Sequence, residues 1–232
     1  TFKHPPLFAW VVGAWFAVFP STDWAYRLLA YTNVAVGLWG VAALARRLHL
    51  PHLAPTAVLL LLWALPYTTL AAKFNANSQL LSLWPWTSVA LLAAITSTGR
   101  ARWACHLALG LLAAACFLSK YYSGVFLLGF LVVAATRADG RRWLISPWPW
   151  LALAVFVAAL LPHGAWLRDS HFATLGYAMN QGDGDTEWPA LFKFALAPLV
   201  YWGLAWLACG SVFAATRPAP RRHWLAQFGR GL

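Results

Sequence analysis

The chain has 232 residues, of which 61% are hydrophobic and 10% charged, and a formal net charge of +11. Soluble domains are roughly 45–50% apolar and about a quarter charged, so these proportions exclude a fold surrounded by water. The basic excess is not a nucleic-acid footprint either, because the arginines stand in short clusters between apolar runs and not along one solvated face.

Sixteen Trp and fourteen Phe suit a chain that meets many membrane interfaces, where an indole keeps one edge dry and the other wet. Cys105, Cys116 and Cys209 lie inside apolar runs and read as small buried hydrophobes. The single Met is Met179 and the sequence opens at Thr1 with no start or targeting segment in view, so an excerpt of a longer protein is expected.

In chain order, Pro5-Pro6 precedes an apolar run from Leu7 to Phe19. It is too short to cross and predicts an interfacial or re-entrant helix on the outer side. Spanning helices are predicted over Leu28 to Leu48, Leu53 to Ala72 and Leu80 to Thr98. The run Trp103 to Ala135 is too long for one crossing and is interrupted by Ser119-Lys120-Tyr121-Tyr122-Ser123-Gly124, which predicts two spans and a turn. A short crossing is expected over Trp148 to Leu161, then a polar outer stretch from Pro162 to Pro189 with a Gly182-Asp183-Gly184-Asp185 tip. Leu191 to Ala215 is the last predicted span.

Loop charge supplies the orientation. Eleven basic residues fall on one side: Arg46, Arg47, Arg100, Arg102, Arg137, Arg141, Arg142, Arg217, Arg221, Arg222 and Arg230, opposed only by Asp139. The other side receives Lys3, Arg27, Lys73, Lys120, Arg168 and Lys193 with five of the six acidic residues. The first side is then the cytoplasm. The expected fold is all-α, a polytopic transmembrane bundle of about seven crossings plus the short interfacial helix. It forms one domain: 1–22 outer, 28–215 membrane spans, 216–232 a cytoplasmic basic tail.

Ionisable groups at membrane depth usually face a cavity or a partner, which singles out Lys73 and Lys120. Lys120 with Tyr121 and Tyr122 offers an ammonium and phenol donors to a phosphate or carboxylate, or else snorkels at a helix end. Lys73 precedes Phe74-Asn75-Ala76-Asn77-Ser78-Gln79, either a cation with a cluster of amides or a capped helix start. Lys3-His4 places two basic side chains before a diproline that is also ordinary helix punctuation. His163 and His171, with Arg168 and Asp169, show no metal spacing. Asp183 and Asp185 read as a solvated acidic turn. The sequence contains no Gly-rich phosphate loop, nucleophile elbow or His-Glu-x-x-His.

Three phrases together, Lys3-His4-Pro5-Pro6-Leu7-Phe8-Ala9-Trp10, Lys73 to Leu81 and Leu118-Ser119-Lys120-Tyr121-Tyr122, resemble the bacterial glycosyltransferase family 39 membrane proteins. Those are relatives of protein mannosyltransferases and lipid A aminoarabinose transferases, and the similarity runs from Thr1 to about Ala135. The resemblance implies a GT-C fold, a polyprenyl-phosphate sugar donor, and a lipid, glycan or protein acceptor on the outer face of the bacterial inner membrane. It implies donor-phosphate contacts from Lys3, His4, Lys73 and Lys120, and a substrate cavity that includes Asn75, Asn77, Tyr121 and Tyr122. The family's acidic pair, which supplies the general base, lies upstream of the diproline and so before Thr1. Many relatives carry Asp where this chain has Asn77, which puts metal dependence in doubt here; no cofactor is certain, a divalent metal stays a candidate, and no metal ligands are assigned. The competing classes are a transporter whose lysines line a solute path, and a non-catalytic membrane subunit whose lysines snorkel.

The charge alternation makes a direct prediction about sidedness. With the three native cysteines removed, Asn75→Cys and Lys120→Cys are expected to react with an impermeant thiol reagent from outside, and Arg46→Cys and Arg141→Cys to be protected. Outside labelling of Arg46→Cys overturns the topology.

Overall fold

The computed structural model describes residues 4–172 and isolated positions beyond them up to Leu207. Eight α-helices follow one another: α1 Leu7–Phe16, α2 Asp23–Arg47, α3 Ala54–Leu61, α4 Leu80–Thr96, α5 Ala101–Ser119, α6 Ser123–Thr136, α7 Ala138–Leu144 and α8 Trp148–Asp169. No strand occurs among the described residues. The helices pack in the order α2, α4, α5, α8, with α4 between α2 and α5 and α5 between α4 and α8. The fold is the expected all-α bundle. The last expected span, Leu191 to Ala215, and the tail 216–232 lie outside the continuously described residues.

Length and composition make α2, α5 and α8 competent to cross a bilayer, or five spans if each of two bent helix pairs counts as one. Helix α4, at 17 residues, sits at the short end of the spanning range. Apolar side chains point outward as a lipid-facing surface would require: Leu128, Val132 and Leu161 keep 61%, 63% and 64% exposure. The chain is a multi-pass membrane protein.

Where helices meet, small residues let them approach. A Cβ at Gly37 of α2 would collide with the Leu81 carbonyl of α4, and one at Gly110 of α5 with the Ala152 carbonyl of α8. The largest apolar cluster joins Ala90, Leu91, Ala94 and Ile95 of α4 to Leu109, Ala134, Trp143 and Ala152. Within it His106 is wired at both nitrogens: Nδ1 donates to the Arg102 carbonyl at 2.7 Å, and Nε2 accepts from Trp143 Nε1 at 2.8 Å.

Two expectations need correction. The run Leu53 to Ala72 is not one continuous helix: α3 ends at Leu61 and the short turns Leu65–Tyr67 and Leu70–Ala72 leave at 83°. Pro66 is the cause, since its ring would clash with the Leu62 carbonyl of a continuing helix and it has no N–H to donate. The crossing expected to stop at Leu161 instead runs through Pro162 to Asp169, so the outer stretch begins later than Pro162. Apolar Gly164-Ala165-Trp166-Leu167 follow the proline and extend the helical face, and packing against the bundle makes an interior proline tolerable. Both α2 and α8 end with a His in the left-handed region, His49 at φ 61° and His171 at φ 51°. In each the next residue's N–H bonds five residues back, Leu50 to Ala45 and Phe172 to Leu167, which is the Schellman closure usually made with Gly.

Pro85 inside α4 frees the carbonyl of Leu81, four residues earlier. The Tyr67 hydroxyl donates to that carbonyl at 3.1 Å, so the broken span after α3 repairs the ladder of its neighbour. Tyr67→Phe is therefore expected to cost about 1–3 kcal/mol, the cost of an unsatisfied buried carbonyl, measured by unfolding in detergent. In a Pro85→Ala background the same change should cost clearly less; equal cost in both backgrounds removes the coupling.

Candidate functional site

Two helix interruptions on one end of the bundle carry most of the polar residues singled out by the sequence. The first is residues 73–79, between the Leu70–Ala72 turn and α4. Phe74 is almost fully buried against Leu29 and Ala30, and its carbonyl accepts the Tyr26 hydroxyl. Asn75 folds the loop on itself: its Oδ1 accepts from the N–H groups of Asn77 and Ser78 at 2.8 and 3.0 Å. This is an Asx-type turn inside the loop and not a cap on α4, whose N-cap residue Gln79 makes no side-chain capping bond. Buried Asn33 of α2 donates to the Ser78 carbonyl at 2.7 Å and accepts from the Ser82 hydroxyl at 2.6 Å.

The second interruption, Lys120 to Tyr122, divides α5 from α6 as the polar phrase predicted. Buried Ser119 ties it to the first, with Oγ 2.8 Å from the Ala76 carbonyl and 3.0 Å from Gln79 Oε1. The Tyr121 hydroxyl meets His163 Nε2 at 2.8 Å. The Lys120 ammonium lies 5.7 Å from the Tyr122 ring centroid, within cation–π range. Burial pushes the phenol pKa of both Tyr121 and Tyr122 upward, so at neutral pH both remain O–H donors.

What the locks leave outside is as informative. Lys73 and Asn77 are exposed and, with Asn75, Ser78, Pro66 and Thr69 among others, line a cavity of about 440 Å³. His4 follows Lys3, which lies outside the described residues, and lines another cavity of about 410 Å³ between the start of α1 and the end of α8. That second cavity is walled by Pro5, Pro6, Trp10, Pro162, His163 and Trp166. His163 is buried and stacked on Trp166 with ring centroids 5.5 Å apart. So Lys73, Asn75 and Asn77 share one cavity and His4 faces another. Lys120 and Tyr122 line neither, and Tyr121 reaches the second through its bond to His163.

Among the described residues the ion pairs are Arg137 with Asp139 and Arg168 with Asp169, so neither Lys73 nor Lys120 has a carboxylate partner. Among the described residues no Asp or Glu lines either cavity. Nor is any group of three or more His, Cys, Asp and Glu placed to hold a metal ion among those residues. Around Asn77 the donors are carboxamides and hydroxyls beside one ammonium, a poor fit to a hard divalent cation that takes anionic oxygens. The cavity around Asn77 suits the opposite charge, an anion met by one lysine, carboxamides and hydroxyls.

His163, which sequence reasoning weighed only as a metal ligand and set aside, is placed by the structure in the second cavity. It lies 42 positions from Tyr121, and assigning Pro162 onward to a loop removed the helical register that turns it inward with Trp166.

Neither a curated protein nor a solved structure matches the chain. A family model, described as dolichyl-phosphate-mannose-protein mannosyltransferase, matches residues 3–166, past the motif similarity that ends near Ala135 and through most of α8. That span holds both helix interruptions and both cavities, and on it the chain belongs to the dolichyl-phosphate-mannose-protein mannosyltransferase family, membrane glycosyltransferases of the GT-C type.

Proposed function

We propose that this protein transfers a sugar from a polyprenyl-phosphate donor to a hydroxyl of a lipid, glycan or protein acceptor on the outer face of the bacterial inner membrane. The observation that carries the reading is the pair of ammonium groups, Lys73 and Lys120, held at one end of the bundle by interlocked loops and without a carboxylate among the described residues. In such a transfer the bond from the anomeric carbon to the phosphate oxygen breaks, and the polyprenyl phosphate leaves with a developing negative charge. Positioned cations and O–H donors stabilise that charge more than they stabilise the intact donor, which lowers the barrier.

The family resemblance, and not a shared cavity, supplies the assigned roles. Lys73 and Lys120, with His4 and the preceding Lys3, are assigned to the donor phosphate. Asn75, Asn77, Tyr121 and Tyr122 line the substrate path, Asn77 through its exposed carboxamide and Tyr121 through a hydroxyl oriented by His163. The acceptor hydroxyl must lose its proton to a base, and we assign that base to a carboxylate outside these two cavities. The arginine-rich end, and with it the C-terminal end of the chain, faces the cytoplasm.

Lys120→Ala is expected to lower transfer from a polyprenyl-phosphate sugar roughly ten- to hundredfold, the loss of one charge-assisted contact of about 1.5–3 kcal/mol. Unfolding in detergent should be unchanged. Wild-type turnover with unchanged stability means that Lys120 only snorkels.

The neutral donor set around Asn77 leads to a second expectation. A chelator should leave wild-type transfer unchanged, because among the described residues no anionic side chain lines that cavity. Strong chelator inhibition that Asn77→Asp does not alter defeats this reading of Asn77.

A further inference from the structure

At the other end of the bundle, α2, α4 and the corner between α6 and α7 enclose a cavity of about 400 Å³. Its rim carries Arg46, Arg47 and Arg137, and its wall is Leu48, Leu92 and Ile95. Arg137 is engaged by Asp139 through two hydrogen bonds, 3.1 and 2.9 Å long. Arg46 and Arg47 have no carboxylate partner among the described residues. Among the described residues three arginines and a single carboxylate thus line one hollow.

Charge that served only to orient the chain in the membrane would need neither a hollow nor an apolar wall. Here both are present. Ile95 is buried, Leu92 half-buried and Leu48 exposed, so the wall grades from the bundle interior toward the surface. Beside it His49 is kept in the left-handed region at φ 61°, an uncommon place for a residue with a side chain. Its imidazole joins the rim. A guanidinium fork matches phosphate oxygens two at a time, and an ordinary inorganic phosphate makes no use of Leu48, Leu92 and Ile95.

We propose that this cavity binds the phosphate headgroup of an anionic phospholipid from the leaflet on the arginine-rich side. The headgroup phosphate sits on Arg46 and Arg47 and the upper acyl chain lies against Leu48 and Leu92. Basic hollows between membrane helices on the cytoplasmic side are suited to such headgroups. The site is independent of the transfer reaction and lies at the opposite end of α2 and α4 from the loop holding Lys73.

The test is titration of the detergent-purified full chain with phosphatidylglycerol, read by native mass spectrometry, with phosphatidylcholine as the neutral lipid and inorganic phosphate as a competitor. One phosphatidylglycerol should bind in preference to phosphatidylcholine. Arg46→Gln with Arg47→Gln should weaken it roughly tenfold or more. Arg141→Gln with Arg142→Gln removes the same charge from the same end outside the cavity and should leave binding unchanged. Equal loss in the two double variants shows that net charge alone attracts the lipid and overturns the site. Competition by inorganic phosphate at concentrations matching the lipid reassigns the rim to a soluble anion and overturns the lipid reading. Should the Gln variant not fold, Arg46→Lys with Arg47→Lys keeps the charge but not the fork; it is expected to bind several-fold more weakly, and undiminished binding rejects the proposal.

Discussion

In a bilayer a helix that stops must find partners for the backbone groups it releases, because no water is there to take them. The structure is organised around that constraint. Pro66 ends one span and Pro85 opens the ladder of the next, and the two defects answer each other through the Tyr67 hydroxyl on the Leu81 carbonyl. Gly37 lets α2 come against the same carbonyl. Farther along, Asn33 inside α2 takes the Ser78 carbonyl and is itself held by Ser82. Tyr67 and Asn33 are two polar side chains placed between the spans where a neighbouring backbone is incomplete.

The candidate site is the outer consequence of this inner repair. Phe74, Ser78, Gln79 and Ser119 are consumed in fastening the two interruptions to each other and to α2. Their neighbours Lys73 and Asn77 are left exposed, and Lys120 beside them is half-buried. Rigid loops that present cations at fixed positions are what electrostatic stabilisation of a leaving phosphate requires, since donors that must first reorganise lose much of their effect. His163 extends the same logic across the bundle: by meeting Tyr121 it joins the end of α8 to the α5–α6 break.

The two ends of the bundle differ in kind. One end offers Lys73 with carboxamides around one cavity and the imidazoles of His4 and His163 around another, with Lys120 and its tyrosines at the neighbouring helix break. The other offers arginines, two of them unpaired among the described residues, over an apolar wall. Lysine is a compact charge on a flexible stem, whereas the planar arginine fork meets phosphate oxygens two at a time.

The sequence by itself determined the solvent, the helical class, the two polar interruptions and the segregation of basic residues, because each is a property of local composition measured against bilayer thickness. The motif phrases around Lys73 and Lys120 also pointed to the family that matches residues 3–166. Local composition could not say that Leu53 to Ala72 would bend or that α8 would run through Pro162 to Asp169. Whether a proline ends a membrane helix depends on whether a neighbour can satisfy the groups it frees, and that neighbour is distant in sequence. Tertiary structure alone decided the pairings of Tyr121 with His163, Ser119 with Gln79 and Tyr67 with Leu81. It also decided that Asn75 spends its side-chain oxygen on backbone N–H groups while Asn77 keeps its carboxamide exposed. Two asparagines in one short phrase look alike until packing selects which of them faces inward.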